Sequence, residues 1–204
     1  MKYLFLILSF GLFCSCTGNN KKSNKEALPP EYTVIPAHSP ADLSTYKTDE
    51  EGYILLLSDL KGEGWRGYGK EALPSKWKIR GDSLVLRQNE NEGGDIIFNH
   101  IFKDFDLIIE WNISKNGNSG IFYLAREIAT KDITTGISKI QPIYISAPEY
   151  QLLDDDNHPD AQLGRDGNRK SGSLYDMIGA SKRVVKPYGE WNKARIRVKN
   201  GQVT

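Results

Sequence analysis

The clearest strand pattern in the sequence is the stretch Phe105-Asp106-Leu107-Ile108-Ile109-Glu110-Trp111-Asn112-Ile113. Side chains alternate between the two faces of a β-strand, so the odd-numbered residues of this stretch share one face. All of them are aromatic or aliphatic, whereas the other face carries an aspartate, a glutamate and an asparagine. Burying each apolar side chain contributes roughly 1.5–3 kcal/mol. The pattern therefore predicts a strand with one face in a core, and that face should fix the strand's register.

Short alternating segments recur on both sides of this strand, separated by Gly, Asn, Asp and Pro. Gly81-Asp82 and Asn200-Gly201 each follow such a segment, and both dipeptides are typical of β-hairpins. Residues 53–57 are a further predicted strand, whereas residues 125–146 are less regular and predict an excursion beside the sheet. Apolar residues do not recur at helical spacing. The sequence therefore predicts an all-β sandwich.

The N-terminus resembles a bacterial export signal. Residues 3–13 form an apolar run that is too short to span a bilayer but has the length of a signal-peptide core. The run ends at Phe13-Cys14-Ser15-Cys16, which resembles a lipobox with Cys16 as the lipid-carrying residue. We therefore expect residues 1–16 to be a lipoprotein signal, residues 17–48 a flexible tether, and residues 49–204 a single domain.

Charge and cysteine content limit the partners of the mature protein. The formal net charge is only +1, which argues against a polyanion and predicts no nucleic-acid partner. Cys14 would leave with the signal and Cys16 would be acylated, so no disulfide is expected and the core must hold the fold. Thr17, rather than Asp, follows Cys16. By resemblance to bacterial lipoproteins, this predicts an outer-membrane anchor, with the domain facing the periplasm or the cell surface.

A second stretch gathers side chains that are suited to chemistry, and it reads Pro148-Glu149-Tyr150-Gln151-Leu152-Leu153-Asp154-Asp155-Asp156-Asn157-His158-Pro159-Asp160. It predicts a strand that enters an acidic loop. Glu149 and Gln151 share one face of the strand, and Asp154 follows where the chain can bend back toward the same opening. Two carboxylates and an amide can hold a sugar or move a proton. The pattern equally fits a half-exposed strand that runs into a solvated turn.

Seven short motifs are spread along the chain. They are Gly64-Trp65-Arg66-Gly67-Tyr68, Gly93-Gly94-Asp95-Ile96, Phe105-Asp106-Leu107-x-x-Glu110-Trp111, Gly117-Asn118-Ser119-Gly120-Ile121-Phe122, Glu149-Tyr150-Gln151-x-Leu153-Asp154, Gly172-Ser173-Leu174-Tyr175-Asp176 and Gly189-Glu190-Trp191-Asn192. In this order they resemble the 3-keto-disaccharide hydrolase family, which is common among Bacteroidetes lipoproteins, from about residue 50 to the end. The resemblance implies a concanavalin A-like jelly-roll sandwich. It also implies cleavage of glycosides whose sugar carries a ketone at carbon 3.

The chain departs from the family pattern in two places. Family members continue beyond this point with further strands and a histidine-containing segment, which predicts that the domain is C-terminally incomplete. Leu124 stands where many members carry an arginine, and Arg126 is a candidate replacement.

The implied chemistry begins at carbon 2 of the sugar. A ketone at carbon 3 acidifies the carbon-2 hydrogen, so a base can form an enolate that expels the glycosidic oxygen from carbon 1, after which water adds. This needs a base, a group that stabilises the enolate and an acid near the leaving group. We expect Glu149 or Asp154 to be the base, with Gln151 completing the catalytic set. The expected substrate-binding residues are Asn118, Tyr175, Arg169 and His158.

Three alternatives remain open at this point. A divalent metal could stabilise the enolate, with ligands from Asp154, Asp155, Asp156, Asn157, His158 and Asp160. A retaining glycosidase of the laminarinase-like type would use Glu149, Gln151 and Asp154 and needs two carboxyl groups about 5–5.5 Å apart. A non-catalytic lectin would stack sugars on Trp65, Trp77, Trp111 or Trp191, although Trp111 lies on the predicted core face.

Overall fold

The structure is a computed structural model that describes residues 31–36, 39–59, 62–87, 90–132 and 135–204, together with the backbone of residues 3–5. Most of the predicted signal peptide, Cys16 and half of the predicted tether lie outside these residues. The described residues form strands and three short 3-10 helices, at Leu43–Thr45, Ile143–Ile145 and Pro159–Gln162. No helix in this part of the chain has the length and apolar character that a bilayer crossing requires.

The strands are numbered in chain order. They are β1 (Tyr3–Phe5), β2 (Tyr32–Val34), β3 (Trp65–Gly67), β4 (Trp77–Arg80), β5 (Ser83–Leu86), β6 (Ile96–Phe98), β7 (Phe105–Asn112), β8 (Asn118–Phe122), β9 (Ile128–Lys131), β10 (Ser138–Ile140), β11 (Glu149–Leu153), β12 (Asn192–Lys199) and β13 (Gln202–Val203).

The largest sheet has six strands in the order β13-β12-β7-β1-β5-β4. Strands β7 and β12 pair antiparallel over seven residue pairs, from Asn192 opposite Trp111 to Val198 opposite Phe105. The predicted hairpin at Gly81-Asp82 joins β4 to β5, and the one at Asn200-Gly201 joins β12 to β13. Both hairpin predictions are therefore confirmed.

Two strand pairs, β8–β11 and β3–β6, form a second layer over this sheet. One core cluster joins Trp111 and Ile196 of the large sheet to Leu152 of β11. A second cluster packs Trp77 and Leu84 of the large sheet against residues that include Trp65 and Ile96 of β3 and β6. Buried side chains thus come from both layers, which is the arrangement of a sandwich. The predicted all-β fold class is confirmed.

Strand β7 follows its predicted alternation. Trp111 and Ile113 are buried in the first core cluster, and the other apolar residues of that face pack against it. On the opposite face, the Asp106 carboxylate accepts a hydrogen bond of 2.8 Å from the Arg195 Nε–H. Apolar burial on one side and polar contacts on the other therefore set the orientation of the strand.

Three segments differ from the expectations. Residues 125–146 contain β9 and β10, which form a three-stranded sheet with β2, so the prediction of an irregular excursion is wrong. Residues 53–57 form turns and one isolated bridge from Ile54 to Thr48 rather than a strand. Strand β2 lies inside the predicted tether, and its Tyr32 pairs with Thr130 of β9. The differences at β2 and β9 arise because these two strands pair with each other, and local sequence does not reveal partners so far apart in the chain.

A buried ion pair connects β3 to the segment that enters β9. The Arg66 guanidinium donates two hydrogen bonds of 2.7 Å to the two carboxylate oxygens of Glu127. The two side chains are only 6% and 7% exposed. Arg66 also donates to the side-chain oxygen of Asn99, so its charge is paired and its donors are largely satisfied.

Replacing Glu127 by glutamine should destabilise the fold strongly, because it leaves the Arg66 charge buried without its anionic partner. We expect a loss of about 3–5 kcal/mol in the free energy of unfolding, measured by urea denaturation. Glu92→Gln is the matched control, since Glu92 pairs with Lys70 at the surface and should cost no more than about 1 kcal/mol. Equal, small losses for the two variants would show that the buried pair is not required.

Candidate functional site

The candidate site lies on the β8–β11 pair. The register places Glu149 opposite Phe122 and Gln151 opposite Gly120. Leu152 of β11 is in the first core cluster and Tyr150 packs against it. Because side chains alternate along a strand, Glu149 and Gln151 point away from this core. Core packing therefore determines which side of β11 carries the polar groups.

Glu149 has a carboxyl group without a partner in the described part of the chain. It is half-buried, and burial raises its pKa to about 7, with further contributions from the carboxylates of Asp95 and Asp160. Within the described residues, its side chain has neither a hydrogen-bond donor nor a cationic partner. Buried carboxyl groups are normally paired, so an unpaired one with a pKa near neutrality is typical of a catalytic acid or base.

Asp95 is a second carboxyl of the site, and it was not among the predicted site residues. Burial raises its pKa, and it lies close enough to Glu149 to disfavour ionisation of that group. Its backbone is fixed at the entrance to β6, where the Asp95 carbonyl accepts a 2.9 Å hydrogen bond from the Tyr68 N–H. The available signal was its place in the Gly-Gly-Asp-Ile motif, just before a strand.

Asp160 lies at the centre of a hydrogen-bonded network beside Glu149. The Tyr175 hydroxyl donates to one oxygen of Asp160 at 2.9 Å, and the Arg169 guanidinium donates to the other at 3.0 Å. Arg169 also donates to Asp176 and lies over the Tyr175 ring at 5.5 Å from its centroid. The predicted residues Tyr175 and Arg169 are therefore near the site, with their polar atoms already engaged.

Burial and the hydrogen bond to Asp160 raise the pKa of Tyr175 to about 12. The phenol therefore keeps its proton at neutral pH and remains a hydrogen-bond donor. This suits it to hold Asp160 in a fixed orientation.

The buried Gln151 and the half-buried Asn118 form an amide pair beneath this surface. Gln151 is only 1% exposed, its side-chain oxygen accepts from the Leu152 N–H at 3.0 Å, and its Nε2 donates to Asn118 at 3.3 Å. These bonds support the strand pair. Because the Gln151 amide is buried and engaged in these bonds, a ligand cannot reach it. The structure therefore does not favour the expected role of Gln151 in the catalytic set.

Asp154 and His158 stabilise the loop that follows β11. The Asp154 carboxylate accepts from the Asn116 N–H at 2.9 Å and from the Asn157 side chain at 3.0 Å. Burial opposes its ionisation, but these hydrogen bonds lower its pKa overall. The Nδ1 atom of His158 accepts from the Asp160 N–H. Asp154 is turned into the loop rather than back toward Glu149, which differs from the expectation.

The acidic loop does not assemble a metal site. Among the residues that the structure describes, no three His, Cys, Asp or Glu side chains are placed to hold one ion. Asp155 accepts from the Ser171 N–H and lies 3.6 Å from Arg183, while Arg183 also binds Asp156. The candidate ligands are thus engaged with different partners, and the residues present do not fit the metal hypothesis.

Glutamine at position 149 should change how stability depends on pH. The pKa of Glu149 is about 7 in the folded protein, compared with about 4.3 for an unperturbed glutamate. Between about pH 4.3 and about pH 7, the folded state therefore keeps a proton on Glu149 that the unfolded state releases. The stability that this bound proton contributes is lost as the pH rises through about 7. The thermal midpoint of Glu149→Gln should exceed that of the wild type by a margin that widens between about pH 4 and about pH 8.

The exposed Glu50 offers a matched control for this measurement. Glu50→Gln should keep a constant difference from the wild type over the same pH range. A constant difference for Glu149→Gln as well would contradict a raised pKa of the half-buried Glu149 carboxyl.

Three comparisons with known proteins give consistent results. Residues 52–204 match the family described as 3-keto-alpha-glucoside-1,2-lyase-like domain. A curated protein of Bacteroides thetaiotaomicron, named 3-keto-disaccharide hydrolase, is 46% identical to this chain, with 96% of this chain and 71% of that protein covered. A crystal structure from Parabacteroides distasonis ATCC 8503, provisionally named a glycosyl hydrolase, matches with a TM-score of 0.55 and 26% identity over 70% of this chain.

The matched part spans 62% of that solved chain. The family model covers well over half of the present sequence, and the motifs that suggested the family all lie within or at the edge of the matched range. The predicted family is confirmed: this chain belongs to the family of 3-keto-alpha-glucoside-1,2-lyase-like domains.

Proposed function

We propose that this protein cleaves glycosides whose sugar carries a ketone at carbon 3, with Glu149 as the base that removes the proton from carbon 2. Family membership and the name of the Bacteroides thetaiotaomicron relative support an enzyme that acts on 3-keto sugars. The observation that carries the residue assignment is the half-buried Glu149 carboxyl, which has no partner among the described residues and a pKa of about 7.

The reaction is an elimination followed by hydration. Glu149 takes the carbon-2 proton, and the electron pair of that bond delocalises onto the carbon-3 oxygen. The enolate then expels the glycosidic oxygen from carbon 1, leaving a double bond between carbons 1 and 2, and the departing oxygen takes a proton. Water adds its oxygen to carbon 1 and a proton returns to carbon 2, so the net change is hydrolysis.

The environment of Glu149 suits a general base. Proton transfer is most efficient when the pKa of the catalytic group lies near the working pH, and burial brings the pKa of Glu149 to about 7. Asp154 is less suited to this role, because the residue is only 3% exposed and its carboxylate is held by Asn116 and Asn157.

Asp95 is the candidate acid for the leaving oxygen. Burial raises its pKa, which favours the protonated form that an acid requires. Tyr175 and Arg169 both bind Asp160, and in this scheme they orient that carboxylate beside the base. Pairs of carboxyl groups in different environments commonly divide the acid and base roles between them.

The two other classes have less support. A retaining glycosidase needs a nucleophile and an acid on facing carboxyl groups, but Gln151 and Asp154 are buried and engaged elsewhere. A lectin needs exposed aromatic faces, whereas Trp77 and Trp111 lie in the two core clusters and the Trp65 indole N–H donates to the Leu56 carbonyl.

Glu149→Gln should abolish most turnover of a 3-keto glucoside, because glutamine cannot accept the carbon-2 proton. We expect kcat to fall by about 10²–10⁴-fold, measured by release of the aglycone. The unoxidised glucoside should not react, since its carbon-2 hydrogen is not acidic.

Asp154→Asn is the matched control for this experiment. It should lower thermal stability, because the loop loses a charged cap, while kcat per folded molecule stays near the wild-type value. Wild-type kcat in Glu149→Gln, or equal turnover of the oxidised and unoxidised glucosides, would refute the assignment.

We also propose that the protein is anchored to the outer membrane through acylated Cys16, as the apolar run and the lipobox-like Phe13-Cys14-Ser15-Cys16 indicate. Expressed with its own N-terminus, the wild type should fractionate with membranes and Cys16→Ser should become soluble, as judged by immunoblotting of cell fractions. Cys14→Ser should behave like the wild type, because Cys14 would leave with the signal. Identical fractionation of Cys16→Ser and wild type would exclude this anchor.

A further inference from the structure

Gly120 lies on β8 where the Glu149 side chain crosses it. Gly120 is buried in the middle of the strand. A Cβ atom added there would lie 2.5 Å from both Cγ and Cδ of Glu149, and closer still to its Oε1. Real Cβ atoms essentially never approach another heavy atom within 3.0 Å. The Glu149 carboxyl therefore occupies the space that any other residue at position 120 would fill.

The backbone does not require glycine at this position. Gly94 and Gly172 have φ angles of 109° and 82°, which disfavour other residues. Gly120 is not among the residues with positive φ, so alanine could adopt its conformation without strain. Glycine within a strand also weakens the strand. What position 120 gains from glycine is room for the side chain of Glu149.

The strand register explains how the two residues meet. Glu149 is directly opposite Phe122, and Gly120 is directly opposite Gln151. Gly120 is thus the diagonal neighbour of Glu149 on the same face, and diagonal neighbours interact when one side chain is long. The Glu149 side chain leans along the sheet over Gly120 instead of standing out into solvent. This position holds the carboxyl in the half-buried environment it shares with Asp95 and Asp160.

We propose that Gly120 is a positioning residue for Glu149, and that the notch left by its missing side chain seats the carboxyl for proton abstraction. The seating itself rests only on the geometry of β8 and β11. Its catalytic consequence rests on the function proposed above.

The effect of alanine at position 120 follows from what it would contact. The three nearest atoms all belong to the flexible Glu149 side chain, so we expect that side chain to rotate away while the strands stay paired. Alanine also reduces the entropy of the unfolded chain, which stabilises the folded state at an unstrained site. The carboxyl moves toward solvent, where its charged form is better hydrated.

The first test needs no substrate and follows the Glu149 carboxyl by ¹³C NMR titration, assigned by its loss in Glu149→Gln. In Gly120→Ala the midpoint of the Glu149 titration should fall by at least about one pH unit toward the ordinary glutamate value of about 4.3. Gly67→Ala is the matched control, because Gly67 is also buried within a strand and its added Cβ would meet the Lys70 side chain at 2.8 Å and the Pro74 ring at 3.0 Å. It should leave the titration unchanged.

A double-mutant cycle keeps the test valid if Gly120→Ala folds poorly. Thermal midpoints are measured for Gly120→Ala alone and in a Glu149→Ala background. The alanine should be tolerated better in that background, because the clashing side chain is gone. Additive effects of the two substitutions, or an unchanged Glu149 titration in Gly120→Ala, would overturn the proposal.

The kinetic test uses turnover of the 3-keto glucoside as a function of pH. A displaced base should lower kcat by about 10²-fold with little change in KM, and the acidic limb of the profile should move down with the pKa of Glu149. Gly67→Ala should not move that limb. A shifted titration with wild-type kcat and an unmoved limb would overturn the catalytic consequence.

The two proposals can fail separately. If the wild type does not turn over the 3-keto glucoside while the NMR titration shifts as expected, the seating of Glu149 stands and the proposed function falls. If the wild type is active and Gly120→Ala leaves both the titration and the pH profile unchanged, the function stands and the role of Gly120 is refuted.

Discussion

Burial of one face of β11 is the constraint on which the candidate site depends. Leu152 belongs to the core cluster that β7 and β12 share with the second layer, and Tyr150 packs against it. Since side chains alternate along a strand, this packing obliges Glu149 to point to the other side. A slip of one residue would put the carboxylate in the core and leucine in the site. The apolar contacts of the sandwich thus determine the face of β11 from which the Glu149 side chain projects.

The carboxyl groups near β11 fall into two kinds. Asp154, Asp155 and Asp160 each accept hydrogen bonds from a backbone N–H or a side chain, and they hold loops in place. Glu149 has no such partner within the described residues, and its charged form is disfavoured by burial. Leaving this half-buried carboxyl without a partner sacrifices some stability at that point. Such a sacrifice is expected where a group must exchange a proton during function.

Local pattern was sufficient for some elements and insufficient for others. The alternation of β7 and the turn residues at Gly81-Asp82 predicted strands and a hairpin correctly, because each pattern is contained in neighbouring residues. Strand β9 was missed because one of its partners is β2, almost a hundred residues away, and β10 was missed with it because β10 pairs with β9. Asp95 was missed as a site residue for the same reason, since only tertiary packing brings it near Glu149. The acidic loop after β11 also led to the prediction of Asp154 as a candidate base. Its hydrogen bonds to Asn116 and Asn157 instead hold it in the loop.

The pairing of Arg66 with Glu127 also bears on how sequences of this kind can diverge. The two residues are 61 positions apart, yet each neutralises the other in a nearly dry environment. Loss of one leaves an isolated charge, whereas replacement of both by apolar side chains of similar volume is commonly neutral or favourable. The route between these two solutions passes through an unfavourable intermediate with a single substitution. Relatives should therefore carry the pair intact or have exchanged both members. Co-variation between positions 66 and 127 would show that the intermediate with a single substitution is disfavoured during evolution.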